Sequence, residues 1–219
     1  MITLHHLNNS RSQRILWLLE ELGAPYEIKR YQRDPKTMKA PAELRAVHPL
    51  GKSPVITVDG LTIAETGAIT DYLVETFDSF GAPADGAMRW QYRHFLHYAE
   101  GSAMPPLLMK LVFGRIPAGL PKLLRPLLRP VFAKLDSQFL EPQLQAHADY
   151  WEQSLAATGW FAGPDISAAD IMMSFPLETG RTRIGFDSRP NCRAFLDRIH
   201  ARPAYVRALE VGGPYAYAG

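Results

Sequence analysis

The first eighty residues change the period of their apolar pattern several times. Ile2-Thr3-Leu4-His5 alternates apolar and polar positions and predicts a short strand. Ile15, Leu18, Leu19 and Leu22 then recur at i, i+3, i+4 and i+7, one face of a helix, and Gly23 and Pro25 follow as its stop. Residues 26–30 alternate again as a strand, and a short helix is predicted over 42–47 with Pro41 near its first turn. Val55 to Val58 and Leu61 to Ala64 flank Asp59-Gly60, the residue pair that favours a tight antiparallel turn. Thr66 reads as the cap of a helix carrying Ile69, Tyr72, Leu73 and Phe77. The predicted order is β-α-β-α-β-β-α.

Residues 78–86 have the composition of a linker, and past them strand signals nearly vanish. Residues 90–100 and 104–113 predict helices, split or kinked near Gly101 and Pro105-Pro106. Residues 114–130 hold four prolines among leucines and arginines and predict a loop or a broken helix with a basic rim. Residues 131–158 predict one long helix kinked at Pro142, and 168–178, 191–201 and 204–210 predict three more. The expected organisation is a small α/β domain over 1–80 and an all-helical domain over 87–219. Ser167 and Asp170 form an S-x-x-D box, a start signal for the helix behind them.

Composition narrows the function classes. The chain has 219 residues, 47% apolar and 21% charged, ordinary for a globular protein. A net charge of +2 without a block of like charge gives no footprint for nucleic acid. No apolar run approaches the roughly 18 residues that span a bilayer, and MITLHHLNNS lacks the basic start and apolar stretch of a secretory signal. A single cysteine, Cys192, excludes an intramolecular disulfide and a cysteine-rich zinc site, and is read as a core thiol. His94, His97 and Glu100 share a helical face, but their spacing is not that of a metal-binding pair, so no metal is expected. A soluble protein of the reducing cytoplasm is the expectation.

One proline stands out. In "HPLGKSPVITVDG", Pro54 immediately precedes the best strand former in the chain, although proline cannot donate to a ladder. It marks either a plain turn or a cis bond that frees the preceding residue's backbone groups. Together with "NNSRSQRILWLLEELG" and "AETGAI", in this order and spacing, "GKSPV" resembles the glutathione transferases. "FAGPDISAADIMM" is similar to that family's helix-capping signature, so the resemblance runs over essentially the whole chain. "HYAEGSAMPPLLMKLVF" and "RIHARPAYVRALEVGGPY" resemble its bacterial and fungal branch.

The resemblance implies a thioredoxin-like first domain that binds glutathione as co-substrate, an all-helical second domain, and a homodimer. It implies that Pro54 is cis, that the backbone of Ser53 pairs with the cysteinyl unit of glutathione, and that Lys52 reaches the glycyl carboxylate. Physical chemistry supports the rest of that site. A helix N-terminus is a ready anion site, so Thr66 suits the γ-glutamyl carboxylate and Glu65 the adjacent ammonium; a plain helix cap is the alternative reading of both. A free thiol has a pKa near ~8.5, and lowering it by two units takes ~2.7 kcal/mol of selective stabilisation. Ser10, paired with Arg14 four residues on as in serine-type members, is one candidate for that work. Asn9, the cation of Arg11 and the helix N-terminus are the others, and simple capping is the bland reading of Ser10 and Asn9. Tyr98, Met104, Met109 and Phe113 are candidates to border a pocket for a hydrophobic electrophile. The expected activity is transfer of the glutathione thiolate to that electrophile, with reduction of organic hydroperoxides also compatible. A glutathione-dependent isomerase and a non-catalytic glutathione-binding or regulatory protein are the rivals.

Overall fold

The computed structural model describes all residues except Met38, Asp85, Leu120, Lys122 and Gly219, together with the backbone alone of Pro117 and Ala118. Strand β1 (Ile2–Leu7), helix α1 (Ser12–Glu21) and strand β2 (Tyr26–Tyr31) form a β-α-β unit. Helix α2 (Ala42–Val47) leads to β3 (Val55–Val58), β4 (Leu61–Ala64) and α3 (Thr66–Phe77). The sheet order is β2-β1-β3-β4. β1 and β2 run parallel, while β1–β3 and β3–β4 are antiparallel. The β3–β4 turn has positive φ at both Asp59 (48°) and Gly60 (83°), the two-residue geometry whose twist matches the flanking strands. A side chain with a Cβ at position 60 would be strained there.

Every described element past α3 is helical: α4 (Gly86–Tyr98), α5 (Met104–Gly119), α6 (Arg125–Leu135), α7 (Glu141–Leu155), α8 (Ala168–Arg183), α9 (Pro190–His200) and α10 (Pro203–Gly212). Two π-helical turns join α4 to α5 (Ala99–Ala103) and α6 to α7 (Asp136–Leu140). The second corrects the single helix expected over 131–158. The α-helical ladder gives way to a π turn at 136–140 and is re-established from Glu141, with Pro142, which has no N–H to donate, directly after that turn. The stretch 114–130 is a broken helix, the last residues of α5 and the first of α6; Leu120 and Lys122 of that stretch lie outside the described residues.

α1 and α8 are the buried axes of the molecule. Ser12 through Leu19 are all buried, as are Ala168 through Gly180. Trp17 packs edge-on against Tyr205 of α10, centroids 5.4 Å apart. Arg14 crosses from α1 to donate to the Met172 carbonyl at 2.5 Å and to Glu100. The pairing of Ser10 with Arg14 therefore ends in a strut between the sheet and the helices. Cys192 is fully buried, and burial pushes its thiol far above the usual range, so it is a core side chain.

Candidate active site

A cavity of about 930 Å³ lies where the ends of the strands meet α5 and α8. Asn9, Ser10, Lys52, Ser53, Pro54, Glu65 and Thr66 all border it from the sheet side. They come from three loops that end at or near the starts of α1, β3 and α3. Two of these loops carry a backbone conformation that a non-glycine residue rarely adopts. Asn9 and Glu65 have positive φ (48° and 73°) without being glycine, a strain of about 1–3 kcal/mol each that clusters at functional sites. The Ser53–Pro54 bond is cis. Gly51 also has positive φ (57°), and a Cβ there would sit 2.6 Å from the Arg45 Cγ, so the bend into "GKSPV" is open to glycine alone.

The Ser53 side chain is occupied with the fold. Its hydroxyl donates to the His5 carbonyl at 2.8 Å and accepts from the Leu7 N–H at 3.2 Å. Its backbone lies outside the ladder, which begins at Val55. Lys52 is exposed at the rim. Glu65, not Thr66, is the N-cap of α3: Thr66 is the first helical residue, buried, and makes no capping bond with its side chain. This corrects the expectation that Thr66 caps. The unpaired N–H groups of the first turn are left pointing out of the helix end, the arrangement that suits an anion.

Ser10 sits on a buried hydrogen-bond chain. Its hydroxyl oxygen accepts from the Ser12 N–H at 3.2 Å and lies 2.8 Å from the Ser12 hydroxyl, which in turn lies 3.0 Å from Nδ1 of His6. Burial, with Arg30 adding, pulls the His6 pKa down to about 4, so the ring is neutral. It bonds the Gly212 backbone, and a neutral imidazole that donates from one nitrogen accepts at the other. The Ser12 proton is then drawn to His6, so in the 2.8 Å contact between the two hydroxyls it is Ser10 that donates, to Ser12 Oγ. Asn9 is tied elsewhere: its Oδ1 accepts from the Ala216 N–H at 2.7 Å. Arg11 places its Nε 3.0 Å from Glu100, on the π turn after α4, and Arg14 pairs with the same carboxylate. π turns concentrate at such sites because the extra residue redirects a side chain.

Residues 1–75 match the family model for the glutathione S-transferase N-terminal domain, and residues 128–207 match that for the C-terminal domain. Glutathione S-transferase 3 of Schizosaccharomyces pombe is 36% identical over 96% of this chain and 87% of its own length. The chain belongs to the glutathione S-transferase family. Glutathione S-transferase 1 of Saccharomyces cerevisiae is 34% identical over 96% of this chain and 94% of its own. The crystal structure of a glutathione S-transferase from Actinobacillus pleuropneumoniae matches with a TM-score of 0.85 at 33% identity, covering 100% of this chain and 96% of that one.

In this transferase the helical wall of the cavity departs from the sequence expectation. Met104 lines it, but Tyr98, Met109 and Phe113 do not. The wall is the stripe Met104, Leu108, Leu111, Val112 and Arg115, which follows the helical period from Met104. Met109 and Phe113 fall on another face; both pack against the core, and Phe113 meets the Phe132 ring of α6 at 6.1 Å. Tyr98 faces α7, where its hydroxyl accepts from Trp151 Nε1 at 3.0 Å and bonds His147; burial pushes its pKa up to about 12.

Sequence reasoning missed Phe175 and Arg183 of α8, and Ala216 and Tyr217 of the C-terminal tail. The tail is pinned by Tyr215, whose hydroxyl donates to buried Glu178 at 2.5 Å, and by Arg181, which donates to the Tyr217 carbonyl at 3.2 Å. The stripe on α5 was available to a period count; the tail had no local signal. Among the described residues no three His, Cys, Asp or Glu side chains are grouped to hold a metal. His94 bonds Tyr150 at 3.0 Å, and Glu100 is engaged by Arg11 and Arg14.

Proposed function

We propose that this transferase binds glutathione against residues 1–80 and presents its thiolate to an apolar electrophile held by the helical domain, residues 87–219. The observation that carries the reading is the meeting of three loops in one cavity: Ser10 before α1, Ser53-Pro54 before β3, and Glu65-Thr66 at the start of α3. The helix end and Thr66 take the γ-glutamyl carboxylate, Glu65 takes the ammonium, the free backbone of Ser53 pairs with the cysteinyl unit as an added strand, and Lys52 reaches the glycyl carboxylate. The thiol proton leaves to solvent on binding. The sulfur then forms a bond to the electrophilic carbon as the leaving group departs with the electrons of its own bond. Ser10 donates to the thiolate, aided by the dipole of α1 and the Arg11 cation.

Glu65→Gln tests the assignment. It keeps the shape and removes the charge that faces the ammonium, so glutathione affinity measured by calorimetry should fall about tenfold, near the lower bound of ~1.5 kcal/mol for a hydrogen bond to a charged group. Unchanged affinity in a folded variant would remove Glu65 from the site.

The same reading makes the protein a cytoplasmic homodimer, since glutathione is the thiol buffer of that compartment. Large apolar side chains left exposed on β4 and α4, Leu61 at 56% and Trp90 at 67%, supply apolar surface for a second copy. Sedimentation equilibrium at micromolar concentration should return twice the chain mass. A monomer would remove the dimer. Among the described residues no helix is long and apolar enough to cross a membrane.

A further inference from the structure

The electrophile side of the cavity carries more positive charge than a hydrophobic substrate needs. Around the whole cavity seven arginines and lysines face two glutamates. Glu100 is already engaged by Arg11 and Arg14, and Glu65 has the ammonium of glutathione in the reading above. On the helical side two cations remain. Arg115 closes the apolar stripe of α5, and Arg183 stands across from it on α8. Arg183 is held in place: it donates to the Leu107 carbonyl at 3.1 Å, and its guanidinium sits 5.9 Å from the centre of the Tyr217 ring. Among the described residues neither Arg115 nor Arg183 forms an ion pair with a carboxylate. Burial lowers the Arg183 pKa, and the nearby charges of Arg115 and Arg11 lower it further. Two cations kept close together, one of them half-buried, and both without a counterion, form a standing anion site at the edge of an apolar wall.

We propose that the second substrate is an apolar electrophile bearing an anionic group, a carboxylate or sulfonate, which Arg183 and Arg115 clamp while its apolar body lies against Leu108, Val112 and Phe175. This rests on the transferase reading and deepens it by naming the substrate class. Arg183 and Arg115 set specificity; the reacting sulfur is served by Ser10. The anion fixes which end of the electrophile faces the thiolate, and its affinity should weaken as salt screens the pair.

The test has a binding arm and a turnover arm. With the site filled by S-methylglutathione, 8-anilinonaphthalene-1-sulfonate and its neutral counterpart N-phenyl-1-naphthylamine are titrated by fluorescence. The sulfonate should bind at least about tenfold more tightly, the scale of one hydrogen bond to a charged group. Arg183→Met and Arg115→Met should each erase most of that preference and leave the neutral probe unchanged, and Arg183→Lys should restore part of it. In the turnover arm, kcat/KM for 4-chloro-3,5-dinitrobenzoate should fall about tenfold in Arg183→Met, through KM, while that for 1-chloro-2,4-dinitrobenzene holds; in both reactions a C–S bond forms and chloride leaves.

Equal affinity for the two probes, or a sulfonate preference that survives both substitutions, overturns the inference while leaving the transferase reading intact. So does an Arg183→Met variant that raises the bound thiol pKa without touching sulfonate binding, because the cation then serves the sulfur. A sulfonate preference that depends on both arginines, with no turnover of either chloride, upholds the anion site and fails the transferase reading instead.

Discussion

Alanine in place of Ser10 raises the thiol pKa of bound glutathione by about one to two units and lowers turnover near neutral pH by about ten- to a hundredfold, each unit being ~1.4 kcal/mol of selective stabilisation lost. The expectation comes from the hydrogen-bond chain behind the residue. The Ser10 oxygen is held by the Ser12 N–H, the Ser12 hydroxyl lies between Ser10 and His6, and neutral His6 draws the Ser12 proton toward itself. The Ser10 hydrogen then fills the 2.8 Å contact with Ser12 Oγ, and a thiolate, as a charged acceptor, draws it away from that neutral partner. Glutathione affinity should change little, because the contacts at Glu65, Thr66 and Ser53 are untouched. Activity should recover in part as pH rises and the thiol ionises unaided. The same substitution removes a bond to the first N–H of α1 and costs about 1 kcal/mol of stability, so a melting curve accompanies the titration. Ser10→Thr, which keeps the hydroxyl, should restore part of the pKa shift. Asn9→Ala should act weakly on the thiol, since its carboxamide holds the tail through Ala216. The measurement is thiolate absorbance against pH for all four proteins. If Asn9→Ala moves the pKa and Ser10→Ala does not, the two residues exchange roles. If neither moves it, the dipole of α1 and Arg11 carry the activation.

What could be read from the sequence divides along a physical line. The β-α-β-α-β-β-α order was legible because each element there announces itself locally, by alternation, by a helical stripe, or by Asp59-Gly60 with its left-handed turn. The sheet-side residues of the cavity were legible for the same reason: each lies at an element boundary, where turn and cap chemistry is restrictive. The helical wall was harder. Met109 and Phe113 stand off the period that runs from Met104 through Leu108, Leu111 and Arg115 within α5, and Tyr98 is parted from that stripe by the π turn at 99–103, which shifts the phase between α4 and α5. The π turn at 136–140 keeps the chain helical while adding a residue to the turn, and hydrophobic periodicity does not register that. The tail could not be read at all. Tyr215 is fixed by Glu178, 37 positions earlier, and nothing near Tyr215 in the chain speaks of that carboxylate.

Loss of the Asp170 carboxylate should be the most destabilising of these substitutions. Asp170 is fully buried at the start of α8, where one oxygen accepts the Phe161 N–H at 2.7 Å. The other accepts the Ser167 N–H at 2.8 Å and the Ser167 hydroxyl at 2.9 Å. The neighbouring Ala168 N–H reaches the Phe80 carbonyl at 2.8 Å, so the cap also ties α8 to the segment that leaves α3. Asp170→Ala strands those donors where water cannot replace the acceptor. We expect a loss of about 3–5 kcal/mol, a large share of a typical domain's stability, and a Tm lower by about 10 °C. Asp170→Asn keeps one carbonyl acceptor and should cost less. The pH dependence separates charge from shape. Burial outweighs the hydrogen bonds the carboxylate accepts and pushes the Asp170 pKa up to about 6, above its unfolded value near ~3.9. Between those values the folded chain holds the extra proton, so this residue's contribution to stability grows as pH falls from about 7 to about 4. His6 acts the other way: its folded pKa near 4 means that the unfolded chain takes up the proton first, and stability is lost below about pH 6.5. The wild-type curve alone therefore reads the sum, whereas the gap between wild type and Asp170→Asn isolates Asp170. That gap, from urea unfolding, should widen by up to about 3 kcal/mol on acidification. A gap that stays constant would place the carboxyl at its ordinary pKa, and an Asp170→Ala cost below about 1 kcal/mol would remove the cap from the account of this fold.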